Sequence, residues 1–172
     1  MHLAMTKRTL LACTAGALVS ALLPRGIARA ADTETFEVVK TEAAWKRLLS
    51  PAAFAVLREE DTERPTTSPL NGEHRAGTYH CAGCELPVFS SDAKFESGTG
   101  WPSFWKPIDG AIRTRKEGIQ YFVPGTEVHC RRCGGHFGHV FSDGPPPTHL
   151  RYCINGVALA FKPKSASPRK EG

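Results

Sequence analysis

The first thirty residues contain no Asp or Glu, and their apolar run, Leu10 to Leu23, falls short of the roughly 20 residues that a bilayer span needs. The short run argues against a retained membrane anchor. What is present is a basic start, the apolar run and the small-residue exit Ala28-Arg29-Ala30, which is the pattern of a cleavable export signal over residues 1–30. Lys7-Arg8 leaves a twin-arginine route open, and the missing acids leave an organelle transit peptide as the alternative. A lipoprotein box at Leu10-Leu11-Ala12-Cys13 is set aside, because no apolar region fits between Arg8 and Cys13. The expectation is an exported, periplasmic protein whose mature chain is a single domain over residues 31–172, with no stable membrane association once the leader is gone.

The mature chain also lacks a charge excess. The leader carries Lys7, Arg8, Arg25 and Arg29, four cations and no acid, so its removal lowers the net charge from +5 to +1. A nearly neutral domain has no electrostatic footprint for nucleic acid, which excludes that partner class. No internal repeat is visible beyond two CxxC pairs. After a polar start, "KTEAAWKRLLSPAAFAVLREEDTERP" predicts two short helices joined at Ser50-Pro51, with Ser50 as cap and Pro51 in the first turn. Trp45, Leu48, Leu49, Phe54, Val56 and Leu57 form an apolar stripe that predicts packing onto the domain. From Thr67 onward, aromatic and β-branched runs alternate with turn residues. "GTYHC", "PVFSS", "AIRTR", "IQYFVP", "TEVHC", "HVFSD" and "LRYCINGVALAF" are candidate strands of an antiparallel β-domain.

"CAGC" (Cys81, Cys84) and "CRRCGG" (Cys130, Cys133) lie 45 residues apart. Each CxxC can turn two thiolates toward one point, and two such knuckles complete the tetrahedron of a structural zinc site. Such a site is closed, so the metal would hold two hairpin ends together and perform no chemistry. Disulfide or dithiol redox chemistry is the rival, and an oxidising destination favours it. A thioredoxin-like CxxC, however, opens a helix in a βαβ unit, and neither pair has that context. His80 and His129 each precede a knuckle cysteine and are expected to be solvated or to support the ligands without binding the metal.

With Cys13 lost, five cysteines remain, and Cys153 is the one outside a CxxC pair. Strand alternation puts Arg151, Cys153 and Asn155 on one face, which is polar for a strand that otherwise reads as core. An arginine near a thiol favours the thiolate, which is the nucleophile. A small buried hydrophobe is the competing role for such a cysteine. His136 and His139 follow the second knuckle, and Gly134, Gly135 and Gly138 predict a bulge or kink that can bring both histidines inward for proton transfer, the alternative being histidines satisfied at the surface or beside the zinc ligands. In "KFESGTGWPSFW", Thr99 lies between two glycines, and Trp101, Phe104 and Trp105 are either ordinary core or an aromatic wall for a small apolar pocket.

Taken together, "CAGCELPVFSSDAKFESGTGWPSFW", "EVHCRRCGGHFGHVFSDGPPPTHLRYCING" and the "TERPTT" lead-in resemble the methionine-R-sulfoxide reductases of the B type, over residues 36 to 163. The resemblance implies a mainly β fold of two antiparallel β-sheets with short N-terminal helices, pinned by zinc on Cys81, Cys84, Cys130 and Cys133. It implies that the domain is catalytic, with Cys153 as the nucleophile that reduces methionine-R-sulfoxide, protein-bound or free, and becomes a sulfenic acid. His139 would be the acid or relay, His136 and Asn155 would position the oxygen, and Arg151 would support the thiolate. Trp101 would form the methyl pocket, with Phe104 and Thr99 beside it, and Asp143 would orient the histidines. The implied partners are oxidised proteins or peptides carrying methionine-R-sulfoxide.

The sequence departs from the family pattern at two positions. Thr99 stands where many members carry a resolving cysteine, which implies direct reduction of the sulfenic acid by an external thiol, from a thioredoxin-like protein or a small molecule. Gly156 stands where serine is usual, which implies that activity survives while a hydrogen bond behind the strand is lost. A reading from another class is an exported zinc-ribbon binding module in which Cys153 is inert.

Overall fold

The structure, a computed structural model, describes residues 34–116 and 126–165. The leader, the candidate strand "IQYFVP" and residues 166–172 lie outside the described residues. Two helices come first, α1 (Glu42–Leu48) and α2 (Pro51–Glu59). Thr41 Oγ1 accepts from the Ala44 N–H at 3.3 Å, and Ser50 Oγ accepts from the Ala53 N–H at 3.2 Å, so each helix begins on a hydroxyl that satisfies an otherwise orphaned donor. Trp45, Leu49, Phe54, Val56 and Leu57 are buried. Leu48 departs from the expected stripe: it is 55% exposed, because α1 is too short to cover a full face.

Among the described residues nine strands follow: β1 (Gly77–Cys81), β2 (Pro87–Ser90), β3 (Lys94–Phe95), β4 (Ser103–Phe104), β5 (Ile112–Lys116), β6 (Thr126–Cys130), β7 (His136–Phe141), β8 (Arg151–Ile154) and β9 (Leu159–Pro163). They form two antiparallel sheets, one of three strands in the order β2-β1-β9 and one of six in the order β3-β4-β8-β7-β6-β5. Phe89 of the smaller sheet stacks on Phe104 of the larger at 4.4 Å between centroids, and Tyr79 meets Phe104 edge-on at 4.9 Å. All three are fully buried, and each contributes about 1.5–3 kcal/mol of apolar burial. Among the described residues, no helix is long and apolar enough to cross a membrane.

The stretch "LRYCINGVALAF" is not one strand. β8 ends at Ile154, a 3-10 turn occupies Gly156–Ala158, and β9 begins at Leu159 in the other sheet. Glu63 makes this crossing possible. Its carboxylate accepts from the Gly156 N–H at 2.5 Å and the Val157 N–H at 3.1 Å, which are backbone donors that a continuing ladder would have used. Gly156 is required here by close approach, since a Cβ would overlap the Ser68 side chain. Where the usual serine side chain would stand, the buried Ser68 packs against the bare backbone of Gly156.

β7 carries a bulge. His136 pairs with His129 and Gly138 with Val128, so Phe137 is the extra residue. Gly138 has φ +145°, and a Cβ there would run into the Cys153 carbonyl oxygen. Gly138→Ala is therefore expected to lower stability by more than about 3 kcal/mol, from backbone strain and overpacking together. Gly110 (φ +66°) has open space around it, so Gly110→Ala should cost only about 1 kcal/mol. Urea unfolding of both variants checks the contrast, and equal losses would show that the bulge does not need the glycine.

Candidate active site

The two knuckles are built alike. Cys81 ends β1 and its carbonyl accepts from the Glu85 N–H at 2.8 Å; Cys130 ends β6 and accepts from the Gly134 N–H at 2.9 Å. Each turn closes on a residue with positive φ, Glu85 at 60° and Gly134 at 69°. The four Sγ atoms lie within 4.8 Å of one another. The pairs Cys81–Cys133 at 3.7 Å and Cys84–Cys130 at 3.5 Å each join one sheet to the other. A tetrahedron with metal–sulfur bonds of about 2.3 Å has edges of about 3.8 Å, whereas a disulfide needs about 2.05 Å. All four are free cysteines, so the geometry suits a metal ion and not a disulfide. Hydrogen bonds from Cys130, Cys133 and Cys81 push the Cys84 thiol down, while the same crowding and burial push Cys81 up. A bound dication lets all four ionise.

The neighbouring histidines differ in exposure, His80 being partly exposed and His129 fully buried. His80 Nδ1 lies 2.9 Å from the Glu85 carbonyl and braces the first knuckle. His129 is fully buried, between Glu127 and Glu34 and edge-on to Phe36.

Cys153 stands in the middle of the larger sheet, half-buried, opposite Ser103 on β4 and His139 on β7. His139 in turn stands opposite Glu127 on β6, and Glu127 opposite Arg115 on β5. Residues directly opposite in an antiparallel pair share a face, with Cβ atoms about 4.5–5.5 Å apart. One row across five strands therefore reads Ser103, Cys153, His139, Glu127, Arg115. The bulge adds His136 to this face. Its ring meets that of His139 edge-on at 5.5 Å, and its Nδ1 lies 3.0 Å from Glu127 Oε1. Thr99 Oγ1 lies 3.7 Å from Cys153 Sγ, and Ser97 links Thr99 (2.9 Å) to Ser103 (2.7 Å) in a chain of hydroxyls.

Arg151 is not free to serve the thiol alone. Its Nε and Nη2 donate to Asp143 at 2.9 and 2.8 Å, and its guanidinium lies over Phe141. Asp143 was expected to orient the histidines; instead it grips Arg151. Burial raises the pKa of Cys153, and the opposing pulls of Thr99 and Arg151 do not overcome it. Arg151 pulls toward the thiolate, as expected, but a partly neutralised arginine offsets only part of the desolvation, so the balance favours the thiol.

Two further expectations are corrected. Asn155 is 3% exposed, and its amide is committed to backbone: Oδ1 accepts from the Glu63 N–H at 3.0 Å and Nδ2 donates to the Phe137 carbonyl at 3.0 Å. In this structure it braces the exit of β8. Phe104 is 0% exposed and stacked in the core, so it lines no pocket. Trp101 is half-buried, with its indole Nε1 donating to the Glu63 carbonyl at 3.0 Å, so one edge of the ring is fixed. The sequence reading overlooked Glu63, Ser97, Ser103 and Glu127. For Glu127 the signal was available: an acid two residues before a histidine within one strand shares that histidine's face.

These pulls set the reactivity of Cys153. Its alkylation by iodoacetamide in the metal-loaded protein should have a midpoint pH above that of an ordinary thiol, and Arg151→Ala should move it higher still, since the guanidinium is one of the groups holding it down. A midpoint below the ordinary value, or one that Arg151→Ala leaves in place, would contradict this balance.

With the geometry in hand, the comparisons with known proteins are direct. A family model described as the SelR domain matches residues 49–163. Peptide methionine sulfoxide reductase MsrB of Pseudomonas putida is 49% identical over 131 residues, which cover 76% of this chain and 98% of that protein. The protein of the same name from Bradyrhizobium diazoefficiens is 52% identical over 136 residues, covering 78% and 98%. That from Methanosarcina barkeri is 49% identical over 134 residues, covering 78% and 94%. On residues that span both cysteine knuckles, Thr99, both histidines and Cys153, this chain belongs to the methionine-R-sulfoxide reductase B family.

Proposed function

We propose that the chain is a peptide-methionine (R)-S-oxide reductase that works through Cys153. The observation that carries this reading is the row in which the half-buried thiol faces His139 across the strand, with Thr99 beside it. Sγ attacks the sulfoxide sulfur, the oxygen passes to Sγ, and the proton that the thiol gives up returns to that oxygen through His139, with His136 behind it. Thioether and cysteine sulfenic acid result, so atoms and electrons balance without a cofactor in the step. Because the resting residue is a thiol, the reaction needs this proton shuttle. Trp101 walls the substrate methyl group.

Among the described residues, every other cysteine belongs to a knuckle. The sulfenic acid therefore condenses with one external thiol and a second releases it, yielding water, a disulfide and free Cys153. A thioredoxin-like protein or a small thiol fills that role. Zinc is the ion that best matches four thiolates in a closed tetrahedral set, and it supplies cohesion between the sheets. Residues 1–30 direct export and are removed, so the substrates are oxidised methionines of periplasmic proteins, with free methionine-R-sulfoxide also accepted.

Epimer-resolved consumption of racemic methionine sulfoxide with dithiothreitol tests this. Residues 31–172 should consume the R epimer alone and carry about one zinc per chain. Cys153→Ser should consume neither epimer while keeping its zinc. Consumption of the S epimer, or turnover that persists in the variant, would overturn the reading.

A further inference from the structure

Glu127 has no assigned role, yet it is 1% exposed in the middle of a β-strand, where an ionised carboxylate is costly unless paired. Its pairing is directional. Oε1 lies 3.0 Å from His136 Nδ1, and Oε2 lies 3.3 Å from Arg115 Nη1. His129 Nδ1 is farther, 3.6 Å from Oε2. Burial pushes the carboxyl up, but the two imidazoles and the Arg115 guanidinium outweigh it and hold it well below the usual carboxylate range. The acid is therefore an anion, which can only accept, so the shared hydrogen lies on His136 Nδ1. His136 is 2% exposed, and its Nε2 has no partner among the described residues. A buried ring nitrogen left without a partner is costly, and it is tolerated most readily where the nitrogen is used. The neighbour with which this ring shares the face is His139, opposite Cys153.

We propose that Glu127 is a positioning residue for the reduction: by accepting Nδ1–H of His136 it fixes that tautomer and leaves Nε2 as a lone-pair acceptor on the face shared with His139. The role rests on the reductase reading above. In that reaction a proton leaves Cys153 Sγ and ends on the transferred oxygen, so the histidine pair gains and loses one proton per turnover. A fixed acceptor nitrogen with an anion behind it lets the pair carry that proton without moving a ring. Among the described residues, the charged groups packed around the pair include Glu127 and His129 on β6 and Arg115 on β5, with Glu34 within 3.3 Å and Glu60 within 3.8 Å of Arg115. Glu127 is the one whose contact with His136 is a hydrogen bond.

The test uses the metal-loaded full chain labelled with 15N-histidine, with His136 assigned from a His136→Gln spectrum. Neutral His136 should carry its proton on Nδ1, and Glu127→Gln should lose that preference. The same variant should lower kcat for methionine-R-sulfoxide by about 100-fold, the usual worth of a positioned acid or base, with KM unchanged. A purely structural role would leave the tautomer free and move both constants. If Glu127→Gln does not fold, the wild-type spectrum still decides: a proton on Nε2 overturns the proposal. A folded variant with undiminished kcat overturns it too, and leaves the reductase reading standing. A wild-type chain inert toward both epimers overturns the reductase reading itself.

Discussion

Antiparallel register across the larger sheet sets everything else about the site. Ser103, Cys153, His139, Glu127 and Arg115 come from five strands that are far apart in sequence, and each faces the next because the ladders pair them residue for residue. A slip of one residue in any of these ladders turns a strand's side chains to the other face and breaks the row. The Phe137 bulge is the one irregularity that helps, since it places His136 on the same face as His139 although they are three residues apart.

That register needs strands held in place. At one end the cysteine knuckles tie β1 of the smaller sheet to β6 of the larger, through sulfur contacts that run between sheets and not within a CxxC. At the same end of the larger sheet, beside the start of β7, Glu63 and Asn155 end the β8 ladder by supplying backbone partners, so the chain can leave one sheet and enter the other. Glu63 also accepts from the Trp101 indole, so a single residue of the N-terminal lead-in braces both the exit of the cysteine strand and the aromatic wall. The helices α1 and α2 act by packing, covering the core with Trp45, Phe54 and Leu57.

Electrostatically, the row sorts itself by burial. The thiol at its centre is raised by desolvation, and the carboxylate two strands away is held ionised by imidazoles and a guanidinium. Arg151, which looks in sequence like the activator of the thiol, divides its charge between Cys153 and Asp143. Burial and the shared guanidinium together leave the Cys153 thiol harder to ionise than an ordinary one.

The sequence by itself determined the β-rich fold class, the two capped helices, the four-cysteine cluster and the prominence of Cys153, because those rest on local periodicity, caps and spacing that neighbours in the chain decide. Tertiary structure alone decided that "LRYCINGVALAF" is divided between two sheets, since the partner that ends β8 is Glu63, some ninety residues earlier. It also decided that Phe104 is core, that Asn155 and Asp143 serve other groups, and that Glu127 backs the histidines. Those outcomes depend on which strand lies beside which and in what register. Alternation along one strand assigns a residue to a face, but only the pairing of strands determines what it meets there.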